Sequence, residues 1–251
     1  MIVSTKKFRL CEMFGIPMYV DISFAILLLL FVVNSGSIIS GFCLAVLLAF
    51  SVVLHELGHS LMARVFGFET RDITISLVGG CASLMALPSK AWQEFMTAIA
   101  GPLVSFALAI ISYGIISTIP IANEVVYSWF YYLCVLNMML GMFNLLPALP
   151  MDGGRIFKSL LRLKYDKVKS TYIAMYVGRV LAVALVVLPL LGINSIWIFP
   201  IGGSLFIRAL IAWMIWQESK REYLIAVAEA SRWSWQQGDF KAKVSPPPYE
   251  R

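Results

Sequence analysis

Residues 38–65 read IISGFCLAVLLAFSVVLHELGHSLMARV. A membrane-spanning helix needs about 20 mostly apolar residues, and this stretch exceeds that length, so it emerges from the bilayer or tilts within it. Its apolar run Ile39–Leu54 is followed by His55-Glu56-Leu57-Gly58-His59, three ionisable groups in little more than one turn. One such group at a helix centre costs roughly 2.5–3.5 kcal/mol on insertion scales, so the cluster demands compensation. Positions i and i+4 share a helical face, which lets both imidazoles reach one ion. They are the only two histidines in the chain. A divalent cation would make ligands of the neutral rings and give Glu56 a metal-bound water to hold and deprotonate. The alternative is a polar patch satisfied by neighbouring helices, or a proton relay in a transporter.

The rest of the chain agrees with a membrane setting. Of 251 residues, 60% are hydrophobic and 14% charged, against roughly 45–50% and 25% in soluble domains. A soluble fold of this size lacks the interior to hide so much apolar surface, which excludes an ordinary soluble enzyme and a disordered chain. Six spans are expected, near Met18–Val33, Ile38–Val65, Phe95–Ile119, Val125–Phe143, Ile173–Leu191 and Ser195–Trp216. The connections Asn34–Ser37, Pro120–Glu124 and Gly192–Asn194 carry no Lys or Arg, whereas the opposite side carries all the basic loops. The positive-inside rule therefore puts both termini in the cytoplasm of a multi-pass cell-membrane protein. The net charge of +6 belongs to those loops and to anionic lipid rather than to nucleic acid. Cys11, Cys43, Cys81 and Cys134 are scattered, with no CxxC, so neither a disulfide framework nor a thiolate zinc knuckle is implied.

Two stretches depart from spanning helix. Thr70–Leu84 (TRDITISLVGGCASL) alternates polar and apolar residues, is β-branched, and is interrupted by Gly79-Gly80. It reads as short strands joined by a turn, with a plain loop as the alternative. From Glu218 the pattern is polar and helical to about Trp235, and it ends in SPPPYER. The expected fold is thus an all-α polytopic membrane protein of about six transmembrane helices plus a short β-hairpin.

A catalytic zinc site usually has three protein ligands and one open position. With no third histidine, the remaining ligand must be a carboxylate or a cysteine. Asp152 is the outstanding candidate, within NLLPALPMDGGR at residues 144–155. Two prolines deny that backbone regular hydrogen bonding and paired glycines let it turn sharply. Inside a bilayer such a backbone persists only in protein or beside a wet cavity. The second and fourth helices both approach the cytoplasm, so Asp152 and the histidines can share a depth. The other reading of Asp152 is a turn residue or helix cap before Arg155–Leu163.

HELGH in a membrane helix followed by NLLPALPMDGGR after a later one resembles the site-2 protease family of intramembrane zinc metallopeptidases. The family pattern is HExxH plus N-x-x-P-x-x-P-x-D-G, and both match position by position. Ala100-Gly101-Pro102 resembles a further family feature, a small-residue break packed near the site. The similarity covers a core from about Ser51 to Arg155 and is weaker in the first, fifth and sixth helices. It implies one Zn2+ per chain held by His55, His59 and Asp152, with Glu56 as catalytic base. It also implies that Asn144 binds the substrate backbone and that Gly79 and Gly80 lie on strands able to pair with an unwound substrate. The domain expectation is a transmembrane protease domain over residues 1–217 and a cytoplasmic tail over 218–251.

The nearest resemblance is to compact members without a PDZ or CBS domain, acting on membrane-embedded proteins and gated by a partner membrane protein. The runner-up readings are a CAAX-processing type of membrane HExxH peptidase, whose third ligand would be a glutamate, and a proton-coupled transporter.

Overall fold

A computed structural model describes residues 7–35, 37–76, 79–84, 90–191 and 205–236. The chain divides into two compact units, Met1–Leu145 and Leu146–Arg251. In the first, two strands, β1 (Lys7–Met13) and β2 (Ile16–Asp21), precede helices α1 (Phe24–Ser35) and α2 (Ile38–Val65). Then come β3 (Thr70–Ser76), β4 (Gly79–Leu84), α3 (Ala91–Thr118) and α4 (Glu124–Asn144). The second unit holds α5 (Asp152–Leu161), α6 (Lys167–Leu190) and α7 (Leu205–Gln236). Among the described residues, α2, α3, α4 and α6 are long and apolar enough to cross a membrane.

The first expected span needs correction. Met18–Asp21 belongs to β2, and α1 begins only at Phe24. The break has a local cause: the Asp21 carboxylate accepts from the Ser23 amide at 2.7 Å, fixing a turn before the helix. The 12 residues of α1 rise about 18 Å at 1.5 Å each, well short of the roughly 30 Å hydrocarbon core.

The four strands form one sheet in the order β1-β2-β3-β4. β1 and β2 are antiparallel, β2 and β3 parallel, and β3 and β4 antiparallel with Ile75 opposite Gly80 and Ser76 opposite Gly79. The hairpin expected at Thr70–Leu84 is therefore present, but Gly79 and Gly80 open β4 instead of making the turn. The sheet is seated on α2: Ile16, Met18 and Ile73 are fully buried with Leu57, packed by Met13, Val53 and Leu54. Leu57 is the middle residue of HELGH, so its side chain faces the sheet.

Helices α2 and α3 approach at small residues. A Cβ on Gly58 would stand 2.8 Å from Val104 Cγ2 and 2.9 Å from the Ala100 carbonyl oxygen. On α4, a Cβ on Gly141 would stand 2.9 Å from the Phe106 ring of α3. With no hydrophobic driving force between helices in lipid, such close backbone approach is how they gain contact. Pro102 lies inside α3, which runs through Ala100-Gly101-Pro102 as continuous helix, so those residues are a packing notch and not the break suggested by the resemblance.

In the second unit, Ala148, Ala182, Leu185, Ala212 and Ile215 form a buried cluster between α6, α7 and the segment leading into α5. The 32-residue α7 continues past Glu218 as the same helix. Its polar half packs through buried Ser219, Tyr223 and Ala226. Lys158 on α5 faces Glu222 at 4.0 Å, and Lys167 pairs with Glu229. Residues 195–204 of the expected sixth span and the SPPPYER terminus lie outside the described residues. Arg179 of α6 lays its guanidinium 4.6 Å from the Trp216 ring centre, a cation–π seat for a charge within an apolar helix.

Candidate metal centre

α2 brings His55 and His59 together as their i, i+4 spacing requires. The rings stand 4.9 Å apart, nearly perpendicular at 81°, and their Nε2 atoms are 3.2 Å from each other. Two imidazole nitrogens bound at about 2.0–2.1 Å to a tetrahedral zinc stand about 3.3 Å apart, so the pair fits that ion.

The far side of each ring is tied to α3. His59 Nδ1 lies 2.7 Å from the Thr97 carbonyl oxygen, which can only accept. His59 Nδ1 therefore carries the proton and Nε2 presents its lone pair. His55 Nδ1 lies 2.9 Å from Ser105 Oγ, both residues being buried. Such outer hydrogen bonds fix ring orientation and tautomer in metal-binding histidines. His55 Nε2–H can donate to His59 Nε2, with His55 Nδ1 then accepting from Ser105, or both Nε2 lone pairs can face inward and offer themselves to one cation.

Gly101 is the third part of this geometry. A Cβ there would collide with His59 Nε2 and stand 2.8 Å from His55 Nε2. Any side chain at this position would occupy the space on which the two nitrogens converge. Glu56, the next residue on α2, is half-buried beside them.

Asp152 is the first residue of α5, with Met151 as N-cap, so it is not itself a cap. It is buried. The NLLPALPMDGGR segment folds tightly: Met151 N–H donates to the Ala148 carbonyl at 2.8 Å and Gly154 N–H to that of Met151 at 3.0 Å. A Cβ on Gly154 would meet the Leu149 nitrogen and stand 2.5 Å from the Ala148 carbonyl carbon. Only glycine lets the chain double back this closely, and the Leu149–Pro150 peptide is cis.

Asn144 ends α4, half-buried, and its Nδ2 donates 3.0 Å to the Leu140 carbonyl one turn back. β4, which carries Gly79 and Gly80, pairs with β3 alone among the described residues, so it is an edge strand of the sheet. Three residues of α3 enter the site, two of them not anticipated from the sequence: Thr97 by its carbonyl and Ser105 by its hydroxyl, with Gly101 entering by its lack of a side chain. Ala100-Gly101-Pro102 signalled the last of these; a backbone carbonyl and one of many helical serines carried no signal.

The profile of Peptidase family M50 matches residues 43–122 and 115–185. A zinc metalloprotease of Methanocaldococcus jannaschii, MJ0392, is 41% identical over 79% of this chain and 58% of its own length. A putative zinc metalloprotease of Synechocystis, sll0528, is 36% identical over 85% of this chain and 59% of its own. The solved site-2 protease from Methanocaldococcus jannaschii superposes with a TM-score of 0.63 at 35% identity, covering 87% of this chain and 95% of that one.

Four helices long and apolar enough to cross a membrane, one of them carrying HExxH, are the setting in which these matches fall. The chain belongs to peptidase family M50. It spans somewhat under three-fifths of the length of the two curated relatives named above. The CAAX-processing and transporter readings find no support in these matches.

Proposed function

We propose that this chain is an intramembrane zinc metalloendopeptidase that cleaves membrane-embedded protein substrates by metal-activated water. The observation that carries this reading is the convergence of His55 and His59 Nε2 at 3.2 Å, with both Nδ1 atoms engaged by α3. Asp152 is the proposed third ligand. In its favour are the matched N-x-x-P-x-x-P-x-D-G pattern, its burial and the tight fold that fixes the start of α5.

Zinc bound at such a site lowers the pKa of its water and polarises the scissile carbonyl. Glu56 accepts the proton from the attacking water and returns it to the leaving amine as the C–N bond breaks. No acyl-enzyme is needed. A helical substrate must first unwind, because its peptide bonds are shielded by its own hydrogen bonds and by lipid. The edge of β4 that is unpaired among the described residues, at Gly79 and Gly80, offers backbone partners to the extended segment. The Asn144 amide, able to donate and accept, engages the same segment from α4.

The membrane arrangement we propose is the six-span one with both termini cytoplasmic, which the Lys and Arg distribution favours. α1 and the described part of the expected sixth span, Leu205–Trp216 of α7, complete the count beside the four apolar helices, with the bilayer thinned at α1. Substrates are then transmembrane proteins cut near their cytoplasmic ends, with access under the control of another membrane protein.

The test is cleavage of a transmembrane substrate by the purified full chain in proteoliposomes. Glu56→Gln is expected to retain zinc and lose cleavage, whereas His55→Ala loses both. Undiminished cleavage by Glu56→Gln would refute the assignment of the base.

A further inference from the structure

α2 and α4 meet at a polar pair that the site described above does not use. Asn137 and Ser51 are both fully buried. Asn137 Nδ2 donates 2.8 Å to Ser51 Oγ and 2.9 Å to the Leu133 carbonyl, while Ser51 Oγ donates 2.8 Å to the Leu47 carbonyl. The two carbonyls can only accept, so the amide orientation is settled: its NH2 faces Ser51 and Leu133. Asn137 Oδ1 is buried and has no hydrogen-bond partner among the described residues.

A leucine of similar size would remove that orphaned acceptor and suit an apolar interface better, so stability alone does not account for an asparagine here. The best-attested use of a lone buried asparagine between helices is to fix their register. In lipid this matters more, since apolar helix faces slide past one another at little cost.

The position of the pair shows what the register controls. His55 and His59 lie four and eight residues beyond Ser51 on the same face of α2, about 6 and 12 Å along its axis at 1.5 Å per residue. Asn144 lies seven residues beyond Asn137 on the same face of α4, about 10.5 Å along. α3 is antiparallel to α2, with His55 against Ser105 and His59 against Thr97. α4 returns from α3 through the five residues 119–123, so it runs parallel to α2. From one clamp, about 10.5 Å along α4 falls between the roughly 6 and 12 Å along α2, so Asn144 lies within the height spanned by the histidine pair.

We infer that Asn137, through its hydrogen bond to Ser51, is a positioning residue that locks the register of α4 to α2 and so holds Asn144 at the height of the metal-binding histidines. The inference rests on the reading of Asn144 as a substrate-backbone ligand. The placement of the two histidines does not depend on the clamp, because His55 and His59 are braced from α3.

The experiment uses Asn137→Leu, Ser51→Ala and Ser51→Thr in the full chain, free of other cysteines and spin-labelled at the exposed positions Leu61 of α2 and Met142 of α4. Asn137→Leu is expected to keep an equal or higher Tm. It should shift or broaden the Leu61–Met142 distance distribution and lower kcat/KM about 10²-fold, the loss typical of a misplacement near 1 Å. Ser51→Ala should do the same, and Ser51→Thr, which keeps a hydroxyl, should restore the wild-type distance and rate. An unaltered distance distribution in both Asn137→Leu and Ser51→Ala overturns the clamp. A shifted distribution with unchanged kcat/KM leaves the clamp standing and overturns the role given to Asn144. A lowered Tm with loss of zinc in both variants would make the pair a plain stability element and also overturn the inference.

Discussion

At His59 a backbone oxygen decides the chemistry. The Thr97 carbonyl takes the Nδ1 proton, and no side-chain substitution at Thr97 removes that acceptor. His55 instead relies on the Ser105 hydroxyl, so its support can be deleted. Ser105→Ala is expected to weaken zinc affinity about 10- to 100-fold, the usual cost of losing an outer partner of a metal-binding histidine, and titration against a competing chelator would measure it. Gly101→Ala is predicted to be more severe. Its methyl falls on His59 Nε2, so the purified variant should carry little zinc while remaining folded by circular dichroism; wild-type zinc content would show that α3 yields without disturbing the pair. HELGH was legible from sequence because helical spacing alone places i and i+4 side by side. The bracing from Thr97 and Ser105 was not, since nothing in a run of small helical residues tells which of them faces a particular ring.

At the scale of elements, the contact of α2 with α3 is as tight as the atoms allow. A methyl on Gly58 meets both the flexible Val104 side chain and the fixed Ala100 carbonyl oxygen, and the second cannot move without moving α3. Gly58→Ala should therefore cost about 1–3 kcal/mol, as overpacking generally does, read as a lower Tm. It should also loosen both histidine–α3 hydrogen bonds, read as weaker zinc binding.

The bounds of α2 were legible to the residue, and α3 and α4 nearly so, because long apolar runs end at polar punctuation. The N-terminal strands were not. Ile16–Val33 is one apolar stretch in composition, and hydropathy does not register that Asp21 fixes a turn within it or that Ile16 and Met18 pack on Leu57. The hairpin over Thr70–Leu84 was visible through its alternation, but its pairing with β2 is a long-range contact that local pattern does not encode.

At the scale of the whole molecule, the polar helical stretch expected from Glu218 to about Trp235 is the second half of α7, which runs unbroken from Leu205 to Gln236. Its polar half buries Tyr223, Ala226 and Ser219 and sets Glu222 against the buried Lys158 of α5. Removal of residues 218–251 is accordingly expected to lower the Tm of the purified protein, because Lys158 stays buried without that carboxylate. An unchanged Tm would show that the polar half of α7 contributes no stability.

The account as a whole depends on one ion held by two imidazoles and Asp152, and its most direct test is the zinc content of the purified chain. Wild type and Glu56→Gln are predicted to carry about one zinc per chain, and His55→Ala and Asp152→Ala close to none. A wild-type protein that stays zinc-free when supplied with the metal, or an Asp152→Ala protein that keeps its full complement, would contradict it.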